Sequence, residues 1–208
     1  MSWQSLYQSR VMSADEAVQA IESGSRVFLS GNVSVPRTLL AALVRHAPAV
    51  RDVEICQALT VGPADYVAPE MEGHLRVNTM FISANVRKAV HDGRADFTPV
   101  LLSEFPLLFK NRVLPLDVAL IQVAPPDEHG FCSIGVEVGL TKSAAEAARI
   151  VIAEVNRQMP RTLGDSFIHV SRLNCISPVD YPVAEMAMPG RITFTIESTR
   201  PLPRSRCA

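Results

Sequence analysis

Three neighbouring residues with ionisable side chains, Asp127, Glu128 and His129, follow two prolines and precede Gly130 in the stretch VAPPDEHGFCSIGVEVGLTK. Carboxylates and imidazole serve in acid-base catalysis and in metal binding, so this run is the first candidate for chemistry. Adjacent residues of an extended chain point to opposite sides, and all three reach one metal ion only in a strongly bent loop. The prolines and the glycine also fit an ordinary turn. Taken alone, the residues favour the turn.

Other sequence motifs narrow the possible chemistry. The chain has no G-x-G-x-x-G, no G-x-x-x-x-G-K-[ST] and no G-x-S-x-G pattern, which argues against dinucleotide, P-loop and serine-hydrolase sites. The four cysteines are far apart and form no CxxC pair, so we expect reduced thiols and no structural metal. The stretch SGNVSVP lies between a predicted strand and a predicted helix, where free backbone N–H groups bind anionic ligands. This stretch is equally compatible with a ligand-binding loop from Gly31 to Pro36 and with a purely structural turn.

Composition excludes several classes of partner. The 208 residues are 48% hydrophobic, and 20 Lys and Arg against 21 Asp and Glu give a net charge of −1. Such a chain is long enough for one substantial core, and it has no basic field for nucleic acid or anionic lipid. The N-terminus lacks an apolar signal region, and no apolar run is long enough to span a bilayer. We therefore expect a cytoplasmic protein with no nucleic-acid or membrane partner.

The hydrophobic pattern alternates between helical and extended segments. Ser13 and Glu16 form a capping-box pattern before a helix that Gly24 should end, and Pro36 precedes leucines at helical spacing. RVFLS, DVEICQAL, LRVNTMF, LDVALIQVA, IVIAEVN and RITFTIES are typical of strands, and NVRKAVHDG and TKSAAEAARI of helices. The alternation predicts an α/β fold with a mostly parallel sheet flanked by helices. We expect one domain over residues 1–199 and a linker-like tail over residues 200–208.

A long segment from LPLDVALIQVAPPDEHG to RTLGDSFIHVS resembles the N-terminal domain of the acetyl-CoA hydrolase/transferase family, the acetate- and 4-hydroxybutyrate-type CoA-transferases. NVRKAVHDGRADFTPVLLSEFPLLF and SGNVSVPRTLLAAL extend the resemblance over about Ala14 to Pro203. It implies the ribose-isomerase-like CoA-transferase fold. It also implies an enzyme that moves CoA from an acyl-CoA to a small carboxylic acid of the acetate, butyrate or 4-hydroxybutyrate class. Coenzyme A is then a substrate, with no tightly bound cofactor.

The resemblance also implies where the reaction's nucleophile lies. In this family a glutamate on a second, C-terminal domain forms the glutamyl-CoA intermediate, whereas this sequence ends at RPLPRSRCA. No catalytic residue is therefore expected here, and the preferred hypothesis is half of an enzyme that requires a C-terminal half or self-associates through an exposed apolar surface. The alternatives are an inactive truncated remnant and a non-catalytic acyl-CoA binding module. By motif match, the residues expected at the cleft are Gly31, Asn32, Pro36, Asn85, His129, Gly130, Asn156 and Met159.

Overall fold

The computed structural model describes residues 2–185, which fold around a parallel β-sheet. Its strands are β1 (Arg26–Leu29), β2 (Val53–Gln57), β3 (Leu75–Thr79), β4 (Ala95–Phe97), β5 (Val118–Val123), β7 (Ile150–Asn156) and β9 (Cys175–Val179). The seven strands lie in the order β4-β3-β2-β1-β5-β7-β9, and every neighbouring pair is parallel. A separate antiparallel ribbon consists of β6 (Phe131–Ser133) and β8 (Phe167–His169). The predicted α/β fold with a mostly parallel sheet is confirmed.

Helices cover both faces of this sheet. They are α1 (Trp3–Ser9), α2 (Ala14–Ala17), α3 (Arg37–His46), α4 (Arg87–His91), α5 (Phe105–Lys110) and α6 (Thr141–Ala147). Single 3-10 turns occur at Val18–Ala20, Ala47–Ala49, Asp65–Val67, Pro69–Met71, Leu102–Glu104 and Val170–Arg172. Within residues 2–185, no helix is long and apolar enough to cross a membrane.

Two hydrophobic cores form because alternate residues of the central strands point to opposite faces. Val118 and Leu120 of β5 pack in the core with α2, α3 and α4, whereas Ala119 and Ile121 pack in the core with α5 and α6. All six residues of β5 are buried, which explains its nearly continuous apolar sequence.

The first predicted helix is shorter in the structure than its pattern indicates. Ser13 and Glu16 form the expected capping box at the start of α2. The helix then tightens into the 3-10 turn and ends at Ile21, which is extended and buried, so Gly24 lies in the following turn with a φ of 78°. Burial of Ile21 against the sheet ends the helix before the glycine.

Several short elements were not predicted, namely α1, α5, β4, β6, β8 and β9. Each spans seven residues or fewer, too short for a clear periodic pattern. The predicted strand RITFTIES and the predicted tail over residues 200–208 lie outside the described residues. The domain boundary at residue 199 therefore stays a prediction.

Candidate functional site

A cleft of about 470 Å³ lies at the carboxyl ends of β1, β2 and β3. Because parallel strands all end at the same edge of the sheet, the loops that follow them converge there, as at other α/β ligand sites. The lining residues are Gly31, Asn32, Ala58, Leu59, Met80, Phe81, Val100, Leu102, Phe105, Glu137, Gly139 and Leu140. Only Asn32 and Glu137 bring polar side chains, so the cleft is an apolar surface with two hydrogen-bonding groups.

The loop that follows β1 forms part of the cleft wall and continues the pairing of the sheet. The backbone N–H of Asn32 donates to the carbonyl of Leu59 at 2.6 Å, and a parallel bridge joins Asn32 to Thr60. A Cβ atom on Gly31 would lie 2.3 Å from the Leu59 oxygen, so this close approach requires glycine. Asn32 has a φ of 51°, a left-handed conformation that asparagine tolerates. Among the described residues, no protein group bonds to the Asn32 side-chain amide, which leaves it available to a ligand.

Glu137 is the only charged residue among those that line the cleft. Its side chain is buried, with the residue 7% exposed. One carboxyl oxygen accepts a hydrogen bond from the backbone N–H of Leu140 at 3.3 Å, and the other accepts from the hydroxyl of Thr141. These two bonds fix the carboxylate at the start of α6.

Behind the Gly31–Pro36 loop, a buried carboxylate connects the loop to the middle of the sheet. Oε2 of Glu154, in β7, accepts from the backbone N–H of Leu39 at 2.9 Å, and Oε1 accepts from the amide of Gln122 at 3.2 Å. The same amide lies 3.3 Å from the carbonyl oxygen of Val35. Burial raises the pKa of Glu154 from 4.5 to about 7. A lone glutamate in the apolar run IVIAEVN is consistent with a buried acid.

Two of the residues predicted at the cleft, Gly31 and Asn32, line it. Pro36 is buried and immediately precedes α3. Asn85 accepts from the hydroxyl of Ser83 at 2.6 Å and donates to the carbonyl of Gly62 at 3.0 Å, so it links the loops that follow β2 and β3. Neither Pro36 nor Asn85 is among the lining residues of the cleft.

The Asp127–Gly130 loop follows β5 and forms a turn. The Asp127 carboxylate accepts from the backbone N–H groups of Phe131 at 2.8 Å and His129 at 2.9 Å. The hydrogen bond from Phe131, and to a smaller extent that from His129, holds the pKa of the Asp127 carboxyl below its usual range. The side chains of Glu128 and His129 are 85% and 74% exposed. The Glu128 carboxylate lies 3.5 Å from His129 Nε2, but no three His, Cys, Asp or Glu side chains within residues 2–185 are placed to hold a metal ion together.

Gly130 and the two remaining candidates contribute to packing. Gly130 has a φ of 87°, and a Cβ atom there would lie 2.9 Å from Trp3 Cγ. Asn156 is buried and donates to the carbonyl of Tyr181 at 2.9 Å. Met159 is buried and packs against the backbone of Gly135. A Cβ atom added to Gly135 would lie only 2.2 Å from the Met159 sulfur. Ligand contact by these residues stays a prediction.

Comparison with known proteins supplies the family. The family model for the acetyl-CoA hydrolase/transferase N-terminal domain matches residues 1–192. A 4-hydroxybutyrate coenzyme A transferase from Clostridium kluyveri is 45% identical over 189 residues, which are 91% of this chain and 44% of the relative. A succinyl-CoA:acetate/propanoyl-CoA:succinate CoA transferase from Fasciola hepatica is 40% identical over 83% of this chain and 36% of its own length.

A solved structure agrees with these sequence matches. The crystal structure of 4-hydroxybutyrate CoA-transferase from Porphyromonas gingivalis superimposes with a TM-score of 0.76 and 37% identity, covering 89% of this chain and 43% of that protein. The chain thus spans less than half of the length of each of these relatives. From the family match over residues 1–192 and the shared fold, the chain belongs to the acetyl-CoA hydrolase/transferase family and contains its N-terminal domain.

Proposed function

We propose that this chain forms one wall of the substrate cleft in a CoA-transferase that moves CoA from an acyl-CoA to a small carboxylic acid. The observation that carries the proposal is the apolar cleft at the ends of β1, β2 and β3, with the Asn32 amide unpaired among the described residues. Family membership and relatives whose names describe CoA transfer to or from small acids support this reading of the cleft. Acetate, butyrate and 4-hydroxybutyrate are the acids that we expect.

The proposed reaction proceeds through a glutamyl-CoA intermediate. A glutamate carboxylate attacks the thioester carbonyl, the C–S bond breaks, and an acyl-glutamyl anhydride and CoA thiolate form. The thiolate then attacks the glutamyl carbonyl, which releases the first carboxylate and leaves glutamyl-CoA. The acceptor carboxylate attacks glutamyl-CoA in turn, and the returning thiolate converts the new anhydride into the product acyl-CoA and free glutamate. We place this glutamate on a C-terminal half equivalent to the unmatched part of the relatives.

In this proposal the chain's own residues bind the acyl group and exclude water. Met80, Phe81 and Phe105 provide apolar walls, and a dry cleft protects both the anhydride and the glutamyl thioester from hydrolysis. The Asn32 amide is placed to donate a hydrogen bond to a carbonyl oxygen whose negative charge increases during attack. Glu154 and Gln122 keep the Asn32 loop in place from behind.

The face around the cleft suits a protein partner. Phe81, Leu101, Leu102 and Leu107 are 55%, 68%, 74% and 49% exposed. Two of them, Phe81 and Leu102, also line the cleft, so the apolar surface continues from the cleft to the outside. Exposed apolar patches of this kind commonly mark protein interfaces. We infer that a C-terminal half of the transferase covers this face, with self-association as the expected behaviour of the chain alone.

Reconstitution of the two halves tests the proposal. The chain is mixed with the C-terminal segment of the Clostridium kluyveri relative, and CoA exchange between acetyl-CoA and butyrate is followed by chromatography. Exchange is expected only in the mixture, and Asn32→Ala in this chain should reduce it about tenfold or more. A matched Asn111→Ala variant, at an exposed asparagine outside the cleft, serves as the control. If the halves co-elute as a folded complex and no exchange occurs, the transferase proposal is wrong.

A second candidate function is acyl-CoA binding without transfer. It is favoured by the fact that the cleft is formed by residues of this chain alone. It predicts saturable binding of acyl-CoA to the isolated chain by calorimetry, together with no exchange in the reconstituted mixture.

A further inference from the structure

Glu137 is the one charged side chain in a cleft whose other lining residues are mostly apolar. The other eleven lining residues carry no charge, and most are aliphatic or aromatic. No salt bridge between residues 2 and 185 involves Glu137, although ten other pairs occur in that range. A ligand that enters this cleft therefore meets one acidic group with no basic ion-pair partner in the part of the chain that the structure describes.

The hydrogen bonds of Glu137 define what it offers to a ligand. Both oxygens accept, one from the N–H of Leu140 and the other from the hydroxyl of Thr141. A carboxylate has about four acceptor positions in total, so two such bonds leave further lone pairs. An ionised carboxylate has no hydrogen to donate. Such a group attracts hydroxyl and N–H donors and repels a second carboxylate, most strongly where water is partly excluded.

We propose that Glu137 determines acyl-group specificity: it admits acyl chains that are uncharged or carry a hydroxyl, and it excludes those that end in a second carboxylate. This inference rests on the proposed function, because it takes the cleft as the place where the acyl group binds. Relatives of the chain act on acids of both kinds, since one is named for 4-hydroxybutyrate and another for succinate. A carboxylate in the cleft would repel the second group of substrates and not the first.

A purely structural role for Glu137 makes a different prediction. Its bonds to Leu140 and Thr141 also stabilise the start of α6, so a substitution that breaks them would weaken binding of every ligand alike. Glu137→Gln keeps the size of the side chain and an acceptor oxygen for Leu140 while it removes the charge. Specificity then changes only if the charge itself discriminates between ligands.

The experiment measures binding of butyryl-CoA, 4-hydroxybutyryl-CoA and succinyl-CoA, which have acyl chains of equal length, to the full 208-residue chain by calorimetry. The wild type is expected to bind succinyl-CoA at least about tenfold more weakly than the other two. Glu137→Gln should remove most of that difference by tightening succinyl-CoA binding. The control, Glu128→Gln, neutralises a carboxylate that is 85% exposed and outside the cleft, and it should preserve the wild-type ranking.

Two results would overturn the inference while the proposed function stands. One is wild-type binding of succinyl-CoA as tight as that of butyryl-CoA, and the other is an equal change for all three ligands in Glu137→Gln. Absence of binding for all three compounds would overturn the inference, because this wall of the cleft would then not hold the acyl group, whereas the exchange assay with the C-terminal segment tests the proposed function separately. Thermal unfolding of each variant verifies that the protein is folded in every titration.

Discussion

The carboxyl group of Glu154, on the buried strand β7, accepts a 2.9 Å hydrogen bond from the backbone N–H of Leu39 in the first turn of α3. The residue at the N-cap of α3 is Pro36, which has no side-chain acceptor, and α3 has no capping bond from its own N-cap side chain. The first N–H groups of a helix require acceptors when they are buried. Glu154 supplies one from a distant strand, and it thereby fixes the loop that leads from the cleft to α3.

The buried acid should make stability depend on pH. Because the pKa of Glu154 is raised from 4.5 to about 7, its protonated form is favoured by folding, and this contribution is lost as pH rises through that range. Between about pH 5 and about pH 8, the free energy of unfolding of the wild type should fall by about 2–3 kcal/mol relative to Glu154→Gln. Urea denaturation at several pH values measures the difference. Glu128→Gln should keep the wild-type profile; identical profiles for wild type and Glu154→Gln would contradict the assignment.

The close approach of Gly31 to Leu59 predicts a local steric effect. Gly31→Ala places a Cβ atom 2.3 Å from a backbone oxygen, which moves the loop and should cost about 1–3 kcal/mol of stability. Gly139→Ala is the matched control in the same cleft, since its Cβ atom would lie 3.7 Å from Glu137. Urea denaturation and acyl-CoA binding are measured for both. Equal, small effects of the two substitutions would show that the loop tolerates a side chain.

Gly130 combines backbone strain with crowding. Gly130→Ala should lose more stability than Gly164→Ala, because both positions have a φ near 90° but only Gly130 has neighbours within 4 Å. Strain alone costs about 1–2 kcal/mol, and contact with Trp3 should add a similar amount. Trp3 is the only tryptophan, so its fluorescence reports directly on this contact during denaturation. Indistinguishable stabilities of the two variants would argue against tight packing of Trp3 on the loop.

The exposed leucines near the cleft should drive self-association. Replacement of both Leu101 and Leu102 by Ser removes apolar side chains that are 68% and 74% exposed, and the weight-average mass in sedimentation should fall toward that of the monomer. Leu163→Ser provides the comparison, since Leu163 is 87% exposed but does not line the cleft. A wild-type chain that is monomeric at high concentration would contradict the assigned role of this face.

Local pattern was sufficient to predict the central elements of this fold. The nearly continuous apolar run of β5 and the leucine spacing of α3 each depend on neighbouring residues, and the structure confirms both. The contact of Glu154 with Leu39 joins residues 115 positions apart, so it depends on how β7 and α3 pack together. The position of Glu137 in the cleft likewise depends on a loop conformation, which no hydrophobic periodicity encodes. The family resemblance identified Gly31 and Asn32, whereas the hydrogen-bond partners of the two buried acids are seen only in the three-dimensional structure.

The bridge between Asn32 and Thr60 has a consequence for affinity. It extends the pairing of β1 and β2 beyond the ends of both strands, so the loop at the cleft is held by the same kind of bonds as the sheet. A flexible loop loses conformational entropy when a ligand orders it, and that loss weakens binding. Here the loop is ordered during folding, so the cleft is preorganised. Substitutions that loosen the bridge should therefore weaken ligand binding even where they touch no ligand atom.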